Sequence, residues 1–546
     1  MPDPIGPARS SRSRGSFLIS WAGRHDAGRV VLHGARRLCA SKVPVCPLMT
    51  DSSVRHCADL GGSCVMGITL TPPRGDLPMT ASTSAHGLSR RSFLAFAGAG
   101  AVGAATTAFA MPAWGVDAMR PGAVRAPRLT GQDRQIINQL RPARAVDDLT
   151  YLTEVVGQRY TGTPEEAKAA DYIADQLDRA GYDVLVERFD VPDRTLGTLS
   201  GAGLDTRFGW GVGSAPQAVQ DATVTGRLLV VDSGTPGDLP ADLSGRIVMR
   251  VISVRSEDVT PWAVAAAERG AVAVIATRAD STPPSQASAF TPRLTVERVD
   301  IPVVGVGQVQ KHQLLGLGDG AEVTLQTIAY RNPRSANVVG TRAGRKGPRH
   351  AARERVMLGA HYDSVIGSRG ANDNGSGTVV CLELARVMAK APTHTDLSFG
   401  FWGSEEVGLV GSRLHAQNLE QSERDRLRGV FNNDMVATSW EPSEKYWLLD
   451  LHGRSNPVNR AVLAAGDRLG YRTSMGEVFE MGRSDHASFS EVGVDSGNFG
   501  WLHRDGFILE PEYHSSDDTV ARNISLDRLT VSMEIQGCAA YALATA

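Results

Sequence analysis

Cysteine is nearly absent from most of this chain. Four of its six cysteines, Cys39, Cys46, Cys57 and Cys64, lie in the first 78 residues, which leaves only Cys381 and Cys538 for the remainder. None of the spacings is a C-x-x-C pair, which argues against a zinc knuckle. Cys381 and Cys538 each fall within a helix-like pattern, where a free cysteine serves as a small buried apolar residue and not as half of a disulfide framework. A charge excess of one sign is also lacking. The 57 Lys and Arg stand against 59 Asp and Glu, a net of −2, so there is no basic footprint for nucleic acid. Long apolar runs are missing too: residues 95–110 are uncharged but rich in Ala and Gly, and short of the roughly 20 strongly apolar residues of a membrane span.

The charge that is present is unevenly spread. Residues 1–78 carry ten Lys/Arg against five Asp/Glu, and beyond residue 110 there are 45 basic and 54 acidic side chains, a net of −9. A basic leader before an acidic body suits an exported protein. Ser89-Arg90-Arg91-Ser92-Phe93-Leu94, the apolar run and Ala108-Phe109-Ala110 follow in order, and they resemble a twin-arginine export signal with an A-x-A cleavage site. Such a signal opens naturally at Met79. Residues 1–78, Arg-, Ser- and Pro-rich without apolar period, are therefore expected to be a non-native extension from a misassigned start, or a disordered tail. The expected organisation continues with the signal at 79–110 and a Pro/Ala-rich linker at 111–131.

From about Gln132 to Gly181 the apolar spacing is helical, with Thr163 as an N-cap before Ala167-Ala170-Ile173-Ala174-Leu177. Residues 182–191 alternate like a strand. The stretch 196–331 changes character: short β-rich runs recur at 227–231, 246–251, 271–276, 301–306 and 322–328, with one helical segment at 262–269. From Ala336 onward strand and helix alternate. Strands are expected at 355–360, 397–402, 429–432 and 446–451, and helices at 376–390, 458–469 and 526–543. That alternation predicts an α/β three-layer sandwich with a largely parallel central sheet, in which ligands bind beyond the carboxyl ends of the strands.

The chemically rich residues fall at those ends. His361-Tyr362-Asp363 closes one strand, Asp373 sits in Gly-Ala-Asn-Asp-Asn-Gly-Ser-Gly, and Glu405-Glu406 ends the apolar run 397–402. Asp434 lies in Asn-Asn-Asp-Met, and Tyr513-His514 precedes Asp518-Thr519. Each motif alone has a bland reading: a polar strand end, an ordinary turn, a solvated acid. Together they supply imidazoles and carboxylates without thiolate, a donor set for zinc, or for cobalt or manganese, with positions left open for catalysis. His394, His415, His452 and His503 have no such context.

In order and placement these motifs resemble the co-catalytic dizinc exopeptidases of metallopeptidase family twenty-eight, over 132–195 and 332–546. Members commonly carry a protease-associated domain where this chain has its β-rich insert, 196–331, and Gly245-Arg246-Ile247-Val248, Gly270-Ala271-Val272-Ala273-Val274-Ile275 and Ile301-Pro302-Val303-Val304 resemble its strands. The resemblance implies two zinc ions. Asp373 would bridge them, His361 and Asp434 would complete one, and Glu406 and His514 the other. Asp363 would orient His361, and Asp518 would support the site from behind. Glu405 is left over as the general base for a metal-bridging water, and Tyr513 would steady the oxyanion. Arg483 and Ser484, in Arg-Ser-Asp-His486, become candidate contacts for the peptide backbone, with His486 outside the ligand set. The Ser-Asp-His segment resembles the aminopeptidase branch, so the expected activity is that of a secreted, metal-dependent aminopeptidase acting on peptides, without a membrane span once the signal is cleaved. A carboxypeptidase or dipeptidase on the same scaffold is the alternative, and a non-catalytic receptor-like module a remote one, since the ligands and Glu405 are all present.

Overall fold

The computed structural model describes residues 127–546, apart from 202, 205–209, 255, 281–287 and 345–352. The expected extension, export signal and most of the linker lie outside the described residues. The strands in chain order are β1 (Asp183–Asp190), β2 (Arg194–Gly201), β3 (Trp210–Ser214), β4 (Thr223–Val231), β5 (Arg246–Ile252), β6 (Ala273–Arg278), β7 (Val303–Gly305) and β8 (Glu322–Tyr330). They continue with β9 (Arg334–Arg342), β10 (Arg355–His361), β11 (Asp396–Trp402), β12 (Leu427–Asn433), β13 (Lys445–Asp450), β14 (Met475–Glu480) and β15 (Ser496–Leu502).

Eight of these form one sheet in the order β1-β9-β11-β10-β12-β15-β13-β14. Its centre, β11, β10, β12 and β15, is parallel. On one side β9 and β1 run antiparallel to their neighbours, and on the other β13 runs antiparallel to β15. The sheet is thus mixed, with a parallel heart. Strict alternation along the central strands explains its burial on both faces. Val356, Leu358 and Ala360 of β10 join Phe399 and Phe401 in a cluster with the helices Gly377–Met388, Pro457–Leu469 and Leu526–Thr545. Met357 points the other way, to Trp402, Ala416 and Phe489. Cys381 and Cys538 are free and buried.

The region read as continuously helical is broken. Helices span Gly131–Ile137, Pro142–Thr150 and Pro164–Arg179; a π-helical turn, Tyr151–Val156, continues the second, and a short irregular stretch follows before Thr163 caps Pro164–Arg179 through the Glu166 N–H. Gly157 (φ 93°) ends the earlier turn because its backbone sits where side chains are disfavoured. Residues 157–160 then run without regular structure, and the Arg159 N–H donates to Ser364 Oγ just beyond β10.

The remaining seven strands close a barrel in the order β2-β3-β7-β6-β5-β4-β8. Residues from every strand, among them Leu199, Val212, Leu228, Ile247, Ile275, Val304 and Leu325, fill its interior. Alternate residues such as Val248 and Val274 face outward onto the helix Thr260–Glu268. The barrel leaves the sheet after β1 and returns at β9, and these two strands are antiparallel partners with Asp190 opposite Arg334.

Candidate metal centre

Three neighbouring parallel strands end together. β10 lies between β11 and β12, with His361 in register with Trp402 and Gly359 with Asn432. Their carboxyl ends therefore bring His361, Glu405-Glu406 and Asp434 to one edge. Asp373 arrives from the loop before the helix Gly377–Met388, and His514 from the segment before Leu526–Thr545. Ser404, Met435 and His514 hold φ values of 62°, 59° and 56°. Left-handed residues other than glycine tend to gather where side-chain aim outweighs backbone comfort.

Asp373 stands at the middle of the cluster. His361 Nε2 is 3.3 Å from its Oδ1 and 3.4 Å from Asp434 Oδ1. His514 Nε2 is 3.0 Å from its Oδ2 and 3.2 Å from Glu406 Oε2. Three sets of three donors result, His361/Asp373/Asp434, Asp373/Glu406/His514 and His361/Glu405/Glu406, and the first two share Asp373. Asp434 Oδ1, Glu406 Oε1 and His514 Nε2 are buried without a hydrogen-bond partner among the described residues. Buried polar atoms seldom go unpaired, and mixed imidazole–carboxylate donors converging in this way fit two divalent cations.

The electrostatics follow from crowding carboxylates in a buried place. Burial raises Asp373, but the imidazoles of His361 and His514 more than offset this and hold it well below the usual carboxylate range. Burial lifts the Glu406 carboxyl to about 7 against the pull of His514. Glu405 is pushed up strongly by burial and by the charges of Glu406, Asp485 and Asp434. His514 is raised to about 10, since Glu406 and Asp373 outweigh its burial.

The surrounding polar groups aim these side chains. Asp363 Oδ1 lies 3.4 Å from His361 Nδ1, and its two oxygens also accept the backbone N–H groups of Glu405 and Glu406 at 3.0 and 3.2 Å. Asp363 thus fixes the turn that carries the acidic pair as well as facing the imidazole. Asp518 accepts the N–H groups of Asn372 and Asp373 at 2.8 and 3.1 Å. Glu510 was not singled out from the sequence. It is fully buried and accepts from Asn372 Nδ2 at 2.7 Å and Asn523 Nδ2 at 3.2 Å, and burial raises it to about 8. Its place four residues before His514 is the one signal that could have drawn attention to it.

The cluster forms one wall of a cavity of about 320 Å³. Glu405, Tyr513 and Arg483 line it together with His361, Asp373, Glu406 and Asp434. Tyr513 stacks on the His514 ring with centroids 3.7 Å apart, and Arg483 is exposed at the cavity edge. Ser484 does not share that position. It is fully buried, and its hydroxyl accepts from Asn432 Nδ2 at 2.7 Å, so it braces β12 away from the cavity. His486 is likewise buried, with Nε2 against the Met481 carbonyl at 2.7 Å. The rest of the lining is largely apolar, with Met435, Leu449, Met481, Leu502, Phe507 and Ile508. These residues come from loops and strand ends with no shared motif, and sequence inspection passes over them.

A family profile described as Peptidase family M28 matches residues 337–537. The aminopeptidase YwaD of Bacillus subtilis (strain 168) is 35% identical over 422 residues, which span 77% of this chain and 88% of that one. A probable lipoprotein aminopeptidase, LpqL of Mycobacterium tuberculosis, is 30% identical over 425 residues, 70% of this chain and 80% of its own length. Among solved structures, BSAP, a zinc aminopeptidase from Bacillus subtilis, superimposes with a TM-score of 0.54 at 33% identity, covering 74% of this chain and 96% of that one.

Proposed function

Since the chain belongs to peptidase family M28 and is a metallopeptidase, we propose that it is an exported aminopeptidase that holds two zinc ions and removes the N-terminal residue of peptides. The observation that carries this reading is the sharing of Asp373 between two donor sets, with Glu405 beside them on the cavity wall. His361 and Asp434 would hold one ion, Glu406 and His514 the other, with Asp373 common to both. Bound there, the ions supply Lewis-acid polarisation of the scissile carbonyl and lower the pKa of water toward about 7.

The chain's own residues do the rest. Glu405 takes a proton from the attacking water and gives it to the departing amine, so one carboxyl serves both halves of the hydrolysis. Burial raises this carboxyl above its ordinary range, which suits a group that must accept a proton and then release it. The Tyr513 ring stacks on His514, and in this reading its hydroxyl donates to the oxyanion as the carbonyl carbon becomes tetrahedral. Arg483 at the cavity edge meets the peptide beyond the cleaved bond. The seven-stranded barrel is a protease-associated domain in this reading, and the twin-arginine leader directs export. A relative bearing the name lipoprotein aminopeptidase supports the export, and among the described residues no helix is long and apolar enough to cross a membrane.

Hydrolysis of an aminoacyl-anilide panel by the chain from residue 111, with and without chelator, tests this. Chelator-sensitive release of the anilide is expected, together with cleavage of C-terminally amidated but not N-acetylated peptides. Cleavage of acetylated peptides with amidated ones left intact would overturn the aminopeptidase reading.

A further inference from the structure

Arg159 is the largest charged side chain buried completely in the described structure, and no side-chain carboxylate pairs with it directly. All three guanidinium nitrogens donate to backbone carbonyls instead. Nε donates to Tyr362 O at 2.6 Å, Nη1 to Arg369 O at 2.6 Å and Gly157 O at 3.1 Å with Leu152 O at 3.4 Å, and Nη2 to Gly370 O at 2.9 Å. Its backbone joins in: the Arg159 N–H donates to Ser364 Oγ at 3.0 Å, and its carbonyl accepts from the Ser364 N–H at 3.2 Å.

Five of these contacts fall on one loop. Residues 362–370 connect His361 at the end of β10 to the segment that carries Asp373. Tyr362 directly follows His361, and Gly370 opens the Ala371–Ser376 turn. The approach is close: a Cβ on Gly370 (φ 57°) would stand 2.3 Å from Asp373 O and 3.0 Å from Arg159 Nη2. The guanidinium also faces the charges of the site. Burial lowers it to about 10, against the pull of Asp363, Asp518, Asp373 and Glu406, so it remains a cation at neutral pH beneath a cluster of carboxylates.

We propose that Arg159 is a positioning residue for the metal pair: its planar guanidinium ties both ends of the 362–370 loop and thereby sets the spacing between His361 and Asp373. This rests on the dizinc reading and adds to it a residue that touches neither metal nor substrate. A lysine keeps the charge but has three donors on a point ammonium, and it cannot reach carbonyls spread around the edge of a planar fork. If charge alone mattered, lysine would suffice; if the fork matters, it fails.

The test compares zinc binding by the wild-type chain, Arg159→Lys and Ser364→Ala, by calorimetry and chelator competition, with the absorption spectrum of the cobalt-loaded proteins alongside. Supporting groups of this kind weaken metal affinity by about 10–100-fold when changed, and that range is expected for Arg159→Lys, with a shifted cobalt spectrum and kcat lowered more than KM is raised. Ser364→Ala, which loosens the same loop without touching the guanidinium and serves if the lysine variant does not fold, is expected to lose several-fold. Arg468→Met, which breaks a remote ion pair with Asp133, should lower thermal stability and leave zinc affinity unchanged. Wild-type zinc affinity in a folded Arg159→Lys or in Ser364→Ala overturns the inference, as does an equal loss in Arg468→Met, which would mark general softening. Absence of zinc binding in the wild-type chain instead removes the metal centre itself, and the inference with it.

Discussion

At the scale of single residues, adjacency and role part company at Glu405 and Glu406. Both backbone N–H groups are held by the same Asp363 carboxylate, yet only Glu406 comes within reach of His514. Glu405→Gln removes a proton acceptor and leaves whole the two donor sets that share Asp373. Its kcat is expected to fall by at least about a thousandfold while metal content by elemental analysis stays at the wild-type level. Activity within tenfold of wild type would take Glu405 out of the proton-transfer role. The residues that converge here were legible in the sequence because metal chemistry restricts residue type: His361, Glu406 and Asp434 are an imidazole and carboxylates at or just after strand ends, and Asp373 and His514 lie in loops beside them. Ser484 shows the limit of that approach. A serine next to an exposed arginine gives no hint that it is fully buried and bonded to Asn432. Arg159 was equally opaque, since burial of a guanidinium on backbone carbonyls has no sequence pattern.

At the scale of elements, glycine explains what was missed. The central strands β10 and β11 are apolar runs and announce themselves. β15, Ser-Gly-Asn-Phe-Gly-Trp-Leu, does not, because glycine is a weak strand former. Its glycines answer to a neighbour: a Cβ on Gly500 would lie 2.4 Å from Asp434 O and 3.2 Å from Met435 O. Gly500→Ala must therefore push the backbone that carries Asp434. Metal analysis of this variant is expected to show fewer than two ions bound, with the cooperative melt retained; full occupancy would show that the backbone yields without moving the ligand.

Element docking also has a pH signature. Thr130 and Asp133 form a capping box at Gly131–Ile137, and Asp133 is paired with Arg468 at 2.8 Å on Pro457–Leu469. Burial opposes its charge, but the Arg468 and Thr130 hydrogen bonds lower Asp133 from 3.8 to about 2. The unfolded chain then takes a proton that the folded one resists, so this contribution is present above about pH 4 and fades as pH falls toward 2. In melts from pH 6 to pH 2, the Tm difference between wild type and Arg468→Met is expected to be largest at the top of the range and to shrink below pH 4. A constant difference would mean that packing, and not the charge, carries the effect.

At the scale of the whole molecule, the barrel and the sheet meet at the loop after β10. Leu196 and Ala289 of the barrel side pack with Ile366, and Tyr160 and Tyr330 lie against them. Excision of residues 191–333, with Asp190 joined to Arg334 through Asn-Gly, turns two paired strands into a simple hairpin. The product should keep a cooperative melt while kcat/KM falls, because uncovering Ile366 costs about 2 kcal/mol on the loop between His361 and Asp373. Loss of cooperative melting would show that the sheet depends on the barrel for folding.

The pairing of Asp190 with Arg334 also bears on the order of events during folding. Bringing these strands together through an unstructured loop as long as the barrel would cost about 4 kcal/mol more in chain entropy than closing a two-residue turn. A barrel that has already closed holds its two ends side by side, with Val191 N–H on Pro333 O at 3.1 Å. The sheet edge then forms as a local event in a chain whose sequence makes it remote. An insertion placed between adjacent, oppositely directed strands thus shortens the search for the fold that hosts it.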